Sequence, residues 1–392
     1  MSVKPYVVAT VMALIAAPFA LSGGAVATSI HTGDDTEALH TRYCPELATQ
    51  LSRAKFDYTC AWSPGTTRNV KAVVENPRQI GMGQLDVFAH EAVKFANPAI
   101  LTQIRSDDMR QCLFAVSRHR DLQTYGELAA RAAKLRFILP APDSDSTATF
   151  RLLQQIDLPG LGATKNVQHA SSALDAVRAA LTSDDGVAFF VQFPDPEDRT
   201  FRLVRELGGH FVPIIDREIL RQQIAGQKTY FAQETQVANA DWLEAGQKVV
   251  TTCTPSVVFT GSSASISDEQ GRRDHEDLIA TVRALRPEAL LPQESNFARA
   301  LKRTKEISAT SAEQLVKASE QAREKAKPYL DSAKEAADKA YEAARPAYER
   351  ARDYGLKAYE RAREELKELM APKTEPEAAP IQPSPPTEAP KQ

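Results

Sequence analysis

The 392-residue sequence lacks the motifs that mark the common catalytic and metal-binding sites. It has no G-x-S-x-G, no P-loop and no H-E-x-x-H, and its seven histidines are scattered. Its four cysteines form no C-x-x-C pair, which argues against a zinc site. The formal net charge is only −3, so no basic field would draw the chain to nucleic acid or acidic lipid. We therefore expect no enzyme, no metal, no cofactor and no nucleic-acid partner.

The first 27 residues have the pattern of an export signal. MSVK supplies a positive start, YVVATVMALIAAPFAL an apolar run, and AVA, which ends at Ala27, a small-residue cleavage site. The alternative is an uncleaved membrane anchor, although the apolar run is short for a span. We expect an exported, periplasmic protein that is cleaved near Ala27.

All four cysteines, Cys44, Cys60, Cys112 and Cys253, follow this segment. An even number of cysteines in an oxidising compartment is typical of disulfide bonding, here of two bridges. The count and the compartment leave three connectivities open.

Residues 28–260 alternate short β-like runs with longer helical runs. TSIHT (28–32), for example, precedes a helical run at 36–53. A second series begins after QCLFAVSRH (111–119), and KVVTTCTPSVVFTG (248–261) is a long β-rich run that follows it. This alternation predicts parallel sheet covered by helices, in two lobes joined by two long crossings.

The composition changes towards the carboxyl end of the chain. Alanine, glutamate, lysine and arginine dominate 301–370, and this mixture favours helix. YERAR at 348–352 recurs at 359–363, an 11-residue repeat that aligns its tyrosines in one narrow apolar stripe. We expect a helical extension at 301–370, which is a coiled coil, an interfacial helix or a solvated spacer. A disordered, proline-rich tail is expected at 371–392.

The segment SPGTTRNVKAVVENPRQIGMGQLDVF, which begins at Ser63, has the features of a ligand-binding crevice. A helix start exposes unpaired N–H groups and the positive end of the helix dipole, so it can hold a carboxylate or carbonyl group. Thr66 and Asn69 add orienting polar groups, Gly65 permits close approach, and Gln84 ends the next strand. The pattern predicts capture of a small polar molecule. A simple capped helix would explain the same residues.

The order of these motifs resembles that of the TAXI-type solute receptors that serve TRAP transporters. Thr32 and Gly33 end the first strand, SPGTTRN starts a helix, and GQLD ends the next strand. PDSDSTATFRLL then opens a second lobe, ALTSDDGVAFFVQFP supplies a strand that ends at Gln192, and 248–260 returns to the first lobe. The resemblance covers roughly 28–265.

This resemblance implies a two-lobed α/β fold of the type II periplasmic-binding-protein class, in which a solute is held between the lobes. Lobe one is expected at 28–113 and 247–300, and lobe two at 114–246. The implied partners are a small polar solute and the permease subunits of a TRAP transporter. The predicted solute-binding residues are Thr32, Gly33, Asp35, Ser63, Gly65, Thr66, Asn69, Gln84, Ser144, Ser146, Thr147 and Gln192.

Two departures from the family pattern add negative charge. After the first Thr-Gly pair the chain reads DDTEALH, and the lobe-two turn, usually Gly-Ser-Gly-Thr, reads DSDST (143–147). If Asp34, Asp35 and Asp143 face the cleft, a solute with an ammonium or guanidinium group is favoured over a dicarboxylate. Otherwise these acids cap helices and face water.

Two aromatic residues lie near the expected cleft. Trp62 and Phe193 are assigned to core packing in preference to the cleft wall. The helix that closes the family fold at its carboxyl end is expected to be replaced by the extension. The alternative function is therefore an exported structural or interaction protein, with a degenerate binding head and a helical rod that contacts an envelope partner.

The implied fold favours one disulfide connectivity. Cys44 and Cys60 belong to one βαβ unit, and Cys112 and Cys253 fall in the two crossings, which run side by side in this class. The pairs 44–60 and 112–253 are therefore predicted, because the alternatives would join the hinge to the periphery of a lobe.

Overall fold

The computed structural model describes residues 28–239, 246–291 and 304–326, together with Lys339, Glu342, Arg345 and Pro346. The chain divides into two compact units, Met1–Leu330 and Asp331–Gln392. The four described residues of the second unit are helical. The predicted export signal, the proline-rich tail and the repeat-bearing part of the extension lie outside the described residues.

Strands and helices alternate through the first unit. The strands are β1 (Thr28–His31), β2 (Tyr58–Ala61), β3 (Ile80–Gln84), β4 (Leu101–Ser117), β5 (Arg136–Leu139), β6 (Asn166–His169), β7 (Gly186–Gln192), β8 (His210–Val212), β9 (Gln223–Ile224), β10 (Gln227–Lys228), β11 (Phe231–Ala238), β12 (Gln247–Gly261) and β13 (Lys305–Glu306). The helices are α1 (Cys44–Arg53), α2 (Thr66–Glu75), α3 (Leu85–Ala92), α4 (Tyr125–Arg131), α5 (Asp145–Ile156), α6 (Ala173–Ala180), α7 (Arg199–Glu206), α8 (Arg217–Leu220), α9 (Glu269–Ala284) and α10 (Ala309–Lys325), with a π-helical turn at Leu39–Tyr43.

One sheet runs through both lobes in the order β2-β1-β3-β12-β4-β7-β5-β6, with β8 beside β4, and with β11 and β13 beside β12. β1 is parallel to β2 and β3, which form lobe one. β5 is parallel to β6 and β7, which form lobe two. The prediction of an α/β, two-lobed fold of the type II binding-protein class is confirmed.

The two longest strands, β4 and β12, cross between the lobes side by side. β4 pairs with β12 from Leu101 to Cys112, and then with β7 from Cys112 to Ser117. β12 pairs with β11 up to Cys253, and with β3 from Ser256 onwards. Each strand therefore belongs to both lobes, as the prediction of a double crossing requires.

Each lobe has its own hydrophobic core. In lobe one, Leu47 of α1 and Val282 of α9 are fully buried against β1 and β3. In lobe two, the rings of Phe137, Phe150 and Phe189 lie with successive centroids 5.1 Å apart. β7 is buried from Gly186 to Val191, which explains the continuously apolar sequence GVAFFV of this part.

Both disulfides join the residues that the sequence argument pairs. Cys44, the first residue of α1, is bonded to Cys60 of β2. Cys112 and Cys253 face each other in the register of β4 and β12 and are bonded across the crossing. The second bridge therefore lies where both strands pass from one lobe to the other.

α9 follows the second crossing and packs back on lobe one, where Leu278 and Val282 are buried. The expectation that the closing helix is replaced by the extension is therefore wrong. The aliphatic positions at 278 and 282, four residues apart, give α9 an apolar face despite its many charges.

α10, the first part of the predicted extension, packs on α4 of lobe two. The Gly126 N–H donates to Ser319 Oγ at 2.9 Å, and a Cβ atom at Gly126 would lie 2.0 Å from the Ser319 carbonyl oxygen. Only glycine permits this approach. Arg323 of α10 also pairs with Asp157, with Nη2 2.6 Å from Oδ1. This segment is a docked helix.

We predict that loss of the crossing disulfide destabilises the protein more than loss of the other bridge. The closed loops differ, with sequence separations of 141 and 16 residues. The loop-entropy model gives about 5 and about 3 kcal/mol for these lengths. Denaturant unfolding of the Cys112→Ala/Cys253→Ala and Cys44→Ala/Cys60→Ala variants measures the difference. An equal or larger loss in the second variant would contradict the prediction.

Candidate functional site

A cavity of about 680 Å³ lies between the lobes. Segments that follow β1 and β2, together with β4, form one side, and segments that follow β5, β6 and β7 form the other. This is the carboxyl edge of the parallel strands, where α/β sheets bind ligands. The polar residues of its lining are Asp34, Thr36, Glu37, Thr41, Arg42, Gln111, Asp143, Ser144, Ser146, Ser171, Ser172, Gln192, Asp195, Asp198, Arg199 and Thr200.

Acidic side chains outnumber basic ones around this cavity. The two basic residues of the lining are Arg42 and Arg199. Arg42 Nη1 lies 3.5 Å from Asp195 Oδ2, an ion pair that joins lobe one to lobe two. The acids of the lining are Asp34, Glu37, Asp143, Asp195 and Asp198.

Three of these acids have shifted pKa values: burial raises the pKa of Asp195, and the pKa values of Asp34 and Glu37 move in opposite directions. Burial alone would raise the pKa of Asp34, but hydrogen bonds from Thr36 N–H and Oγ1–H, at 3.0 and 2.7 Å, lower that pKa below its ordinary value. Burial and the neighbouring charges of Asp145 and Asp34 raise the pKa of Glu37 to about 8. At neutral pH Asp34 is therefore a carboxylate, and Glu37 is largely protonated.

Three predicted site residues line the cavity, namely Ser144, Ser146 and Gln192. Ser144 caps α5, and its hydroxyl accepts a hydrogen bond from Thr147 N–H at 3.3 Å. Thr147 is buried and donates to the carbonyl oxygen of Ala141 at 3.0 Å, so it holds the turn in shape. Asp35 is exposed, and its neighbour Asp34 faces the cavity instead.

A second group of predicted residues is buried and forms hydrogen bonds within lobe one. Ser63 Oγ donates to the Thr32 carbonyl oxygen at 2.9 Å, and the Ser63 N–H donates to the Gly33 carbonyl oxygen at 3.0 Å. Asn69 Nδ2 donates to the carbonyl oxygens of Thr32 and Met82, the latter at 2.7 Å. These residues fix the ends of β1 and β3 relative to α2.

The start of α2 holds a carboxylate from lobe two. Thr66 N–H donates to Asp145 Oδ1 at 2.6 Å, and Thr66 Oγ1 donates to Asp145 Oδ2 at 2.8 Å. Thr66 Oγ1 also accepts from the Gln84 N–H at 3.0 Å. Burial raises the pKa of Asp145 to about 7, against the opposing effect of the two hydrogen bonds from Thr66.

A second buried polar contact joins the lobes at Asp86. Tyr230 OH lies 2.9 Å from Asp86 Oδ2, and Thr149 Oγ1 lies 2.8 Å from the same atom. Burial raises the pKa of Asp86. The Thr149 hydroxyl is the donor to Asp86, and it also lies 3.0 Å from a second acceptor, Gln84 Oε1. Gln84 Nε2 in turn donates to Gln111 Oε1 at 3.0 Å.

Aromatic residues at the cleft follow the sequence prediction only in part. Trp62 is 65% exposed and lines the cavity, so its assignment to core packing is wrong. The cause is its place after the short edge strand β2, which brings it to the cavity edge. Phe193 is buried as expected, but it packs into the core of lobe one although it follows β7 of lobe two.

Sequence reasoning missed several residues of the site. Asp195 and Asp198 follow a strand end in the motif PDPEDR, and that position was a usable signal. No spacing in the sequence relates Thr149 or Tyr230 to Asp86, because their contact depends on how the lobes meet. Arg42 likewise has no local signature.

The described residues, 28–239, 246–291 and 304–326, contain no group of His, Cys, Asp and Glu placed to hold a metal ion. Within the same residues, no helix has the length and apolar composition needed to span a membrane.

No protein-family model and no curated protein matches the sequence. Solved structures with a similar fold include MatC from Rhodopseudomonas palustris with bound malate, at 11% identity and a TM-score of 0.41, which covers 78% of this chain and 98% of that one. A binding-protein component of an ABC phosphonate transporter from Pseudomonas aeruginosa has 14% identity and a TM-score of 0.37, with coverages of 78% and 99%. The GluR0 ligand-binding core with L-glutamate has 11% identity and a TM-score of 0.37, with coverages of 71% and 100%. With TM-scores below 0.5, these likenesses have no bearing on the ligand of this chain.

We predict that stability falls as pH rises from 5 to 8, and that Asp145 contributes to this fall. In the unfolded chain Asp145 ionises near pH 4, but in the folded protein its pKa is about 7. Between these values the folded state binds more protons, so rising pH favours unfolding. Relative to Asp145→Asn, the unmutated protein should lose about 2–3 kcal/mol of unfolding free energy over this range.

Denaturant unfolding at both pH values measures this difference. Glu37 and Asp86 interact electrostatically with Asp145, so the difference between the two curves reports the ionisation of Asp145 together with its effect on these two neighbours. Parallel pH profiles for the unmutated protein and Asp145→Asn would contradict the prediction.

Proposed function

We propose that this chain is an extracytoplasmic solute-binding receptor that captures a small polar, amine-bearing solute between its lobes. The observation that carries the proposal is the interlobe cavity of about 680 Å³, where four aspartates face two arginines and Glu37 is largely protonated. Its volume is in the range of small-ligand pockets, about 300–1,000 Å³. A dicarboxylate would meet net repulsion there, whereas an ammonium or guanidinium group would be attracted.

The lining supplies contacts for both ends of such a solute. Asp34, held ionised by Thr36, accepts a charge-assisted hydrogen bond from the amine. Trp62 offers an aromatic face for a cation at the edge of the cavity. Gln111 Nε2 has no hydrogen-bond partner among the described residues and is available as a donor to a polar group of the solute.

The finer assignment rests on the order of motifs in the sequence. That order supports a TAXI-type receptor, exported to the periplasm, which delivers its solute to the permease of a TRAP transporter. Ser144, Ser146 and Gln192 are then direct solute ligands, and the group around Asn69 supports them from below. Because the crossing strands β4 and β12 join the lobes, hinge bending at these strands admits and releases the solute.

One observation favours the alternative, an exported structural protein with a degenerate binding head. The start of α2, which the sequence predicts to hold part of a solute, is filled by Asp145. In that alternative no small amine binds, and the carboxyl-terminal extension contacts an envelope partner. A screen of candidate ligands, described next, therefore distinguishes the two functions.

We predict that amine-bearing solutes stabilise the exported protein and that succinate does not. Thermal shifts against lysine, arginine and putrescine test this, with succinate as the dianion. A ligand at 100 times its Kd adds about 2.7 kcal/mol to the unfolding free energy. Tight binding of succinate, or no shift with any amine, would refute the proposal.

Asp34→Asn should weaken binding of the amine about 10- to 100-fold, because a charge-assisted contact becomes a neutral one. Asparagine retains an oxygen that accepts from Thr36. Asp184→Asn is the matched control, since Asp184 is an exposed aspartate outside the cavity lining and its substitution should leave the affinity unchanged. Isothermal titration of the three proteins measures the effect, and equal losses in both variants would exclude a direct contact with Asp34.

A further inference from the structure

The amide group at the first residue of α2 has no acceptor within its own helix. The N–H groups in the first turn of any helix need an outside partner, and they lie at the positive end of the helix dipole. For Thr66 that partner is the Asp145 carboxylate, with one oxygen 2.6 Å from the amide nitrogen and the other 2.8 Å from Oγ1. Both oxygens of the carboxylate are therefore bound by one residue of the opposite lobe.

The backbone of lobe one is shaped for this contact. A Cβ atom at Gly65 would lie 2.7 Å from Asp145 Oδ1 and 3.0 Å from the Asp145 nitrogen. Any larger residue at 65 would push the carboxylate away. Asp145 is also the first residue of α5, so its carboxylate lies between the starts of two helices, which both favour negative charge.

We propose that Asp145 is a tethered ligand, whose carboxylate fills the anion subsite at the start of α2 and holds the two lobes closed without a solute. The proposal concerns a contact within the chain, so it stands or falls independently of the proposed function. A free carboxylate occupies the subsite only when the Asp145 side chain is absent or withdrawn.

We call the contact between Thr66 and Asp145 the latch. Two further contacts between the lobes lie near it. Asp86 of lobe one is bonded to Thr149, one turn further along α5 from Asp145. Arg42 meets Asp195 at the cavity. Thr66 is fully buried and Asp145 is only 7% exposed, so the latch is shielded from water. The side chain of Arg42, in contrast, is 40% exposed. Of the three contacts, the latch alone reproduces the way a free carboxylate binds at a helix start.

Removal of the side chain tests the latch by chemical rescue. In the full exported protein, Asp145→Gly should open the lobes, which raises the radius of gyration measured by small-angle X-ray scattering. Formate or acetate at millimolar concentration should then restore the compact form and raise Tm in this variant. Sodium chloride at equal ionic strength should do neither, and the unmutated protein should not respond to the anions.

Asp143→Gly is the matched control. Asp143 lies two residues before Asp145 and lines the cavity, and among the described residues its side chain makes no hydrogen bond to α2. It should remain compact and should not respond to formate. The latch is overturned if Asp145→Gly scatters like the unmutated protein and gains no response to either anion. It is also overturned if both glycine variants respond alike.

Hydrogen exchange of the unmutated protein gives a test that does not depend on folding of the variant. The Thr66 amide has no acceptor in α2, so a closed latch predicts slow exchange at this amide in the absence of any solute. Exchange as fast as that of exposed first-turn amides would show that the lobes are open and would overturn the proposal.

Discussion

The pairing of β4 with β12 is the constraint on which the rest of the structure depends. Both strands supply hydrogen bonds to two sets of neighbours, β3 and β11 along β12 and β7 and β8 along β4. Cys112 and Cys253 lock their register at the changeover. A shift by one residue would turn every side chain of a crossing strand to the opposite face. Because the lobes are built outwards from this pair, its register also decides which strand ends meet across the cleft.

The meeting of the lobes buries polar groups, and burial makes their pairing obligatory. Asp86 and Asp145 lie fully or almost fully out of water, where an unpaired carboxylate would cost several kcal/mol. Each is matched by hydroxyl or amide groups from the opposite lobe, namely Thr149 and Tyr230 for Asp86 and Thr66 for Asp145. Such an interface has few alternative arrangements, because a displaced lobe would leave these groups unsatisfied. The closed geometry is specified by polar complementarity more than by apolar area.

The sequence could predict the elements that depend on local chemistry. Strand and helix alternation and the crossings follow from periodicity, and the helix start at Thr66 follows from its glycine and hydroxyl residues. The disulfide pairing needed in addition the fold that the family resemblance implies. What the sequence could not give is the occupant of that helix start. Asp145 lies 79 residues away from Thr66, and nothing in the DSDST turn distinguishes a helix cap from a ligand. Arg42 was missed for the same reason, since its ion pair with Asp195 forms only when the lobes are apposed.

The latch and the proposed solute site together set the energetics of capture. A solute shifts the balance between open and closed lobes only by its difference in affinity for the two forms. If Asp145 already supplies the carboxylate contact, a solute gains nothing from that subsite, and its selectivity must come from the outer acids, above all Asp34. The opening of the cleft breaks the Thr66–Asp145 contact and exposes the carboxylate to water, where its ionised form is stable. Opening of the latch and amine binding at Asp34 would therefore act on the same hinge.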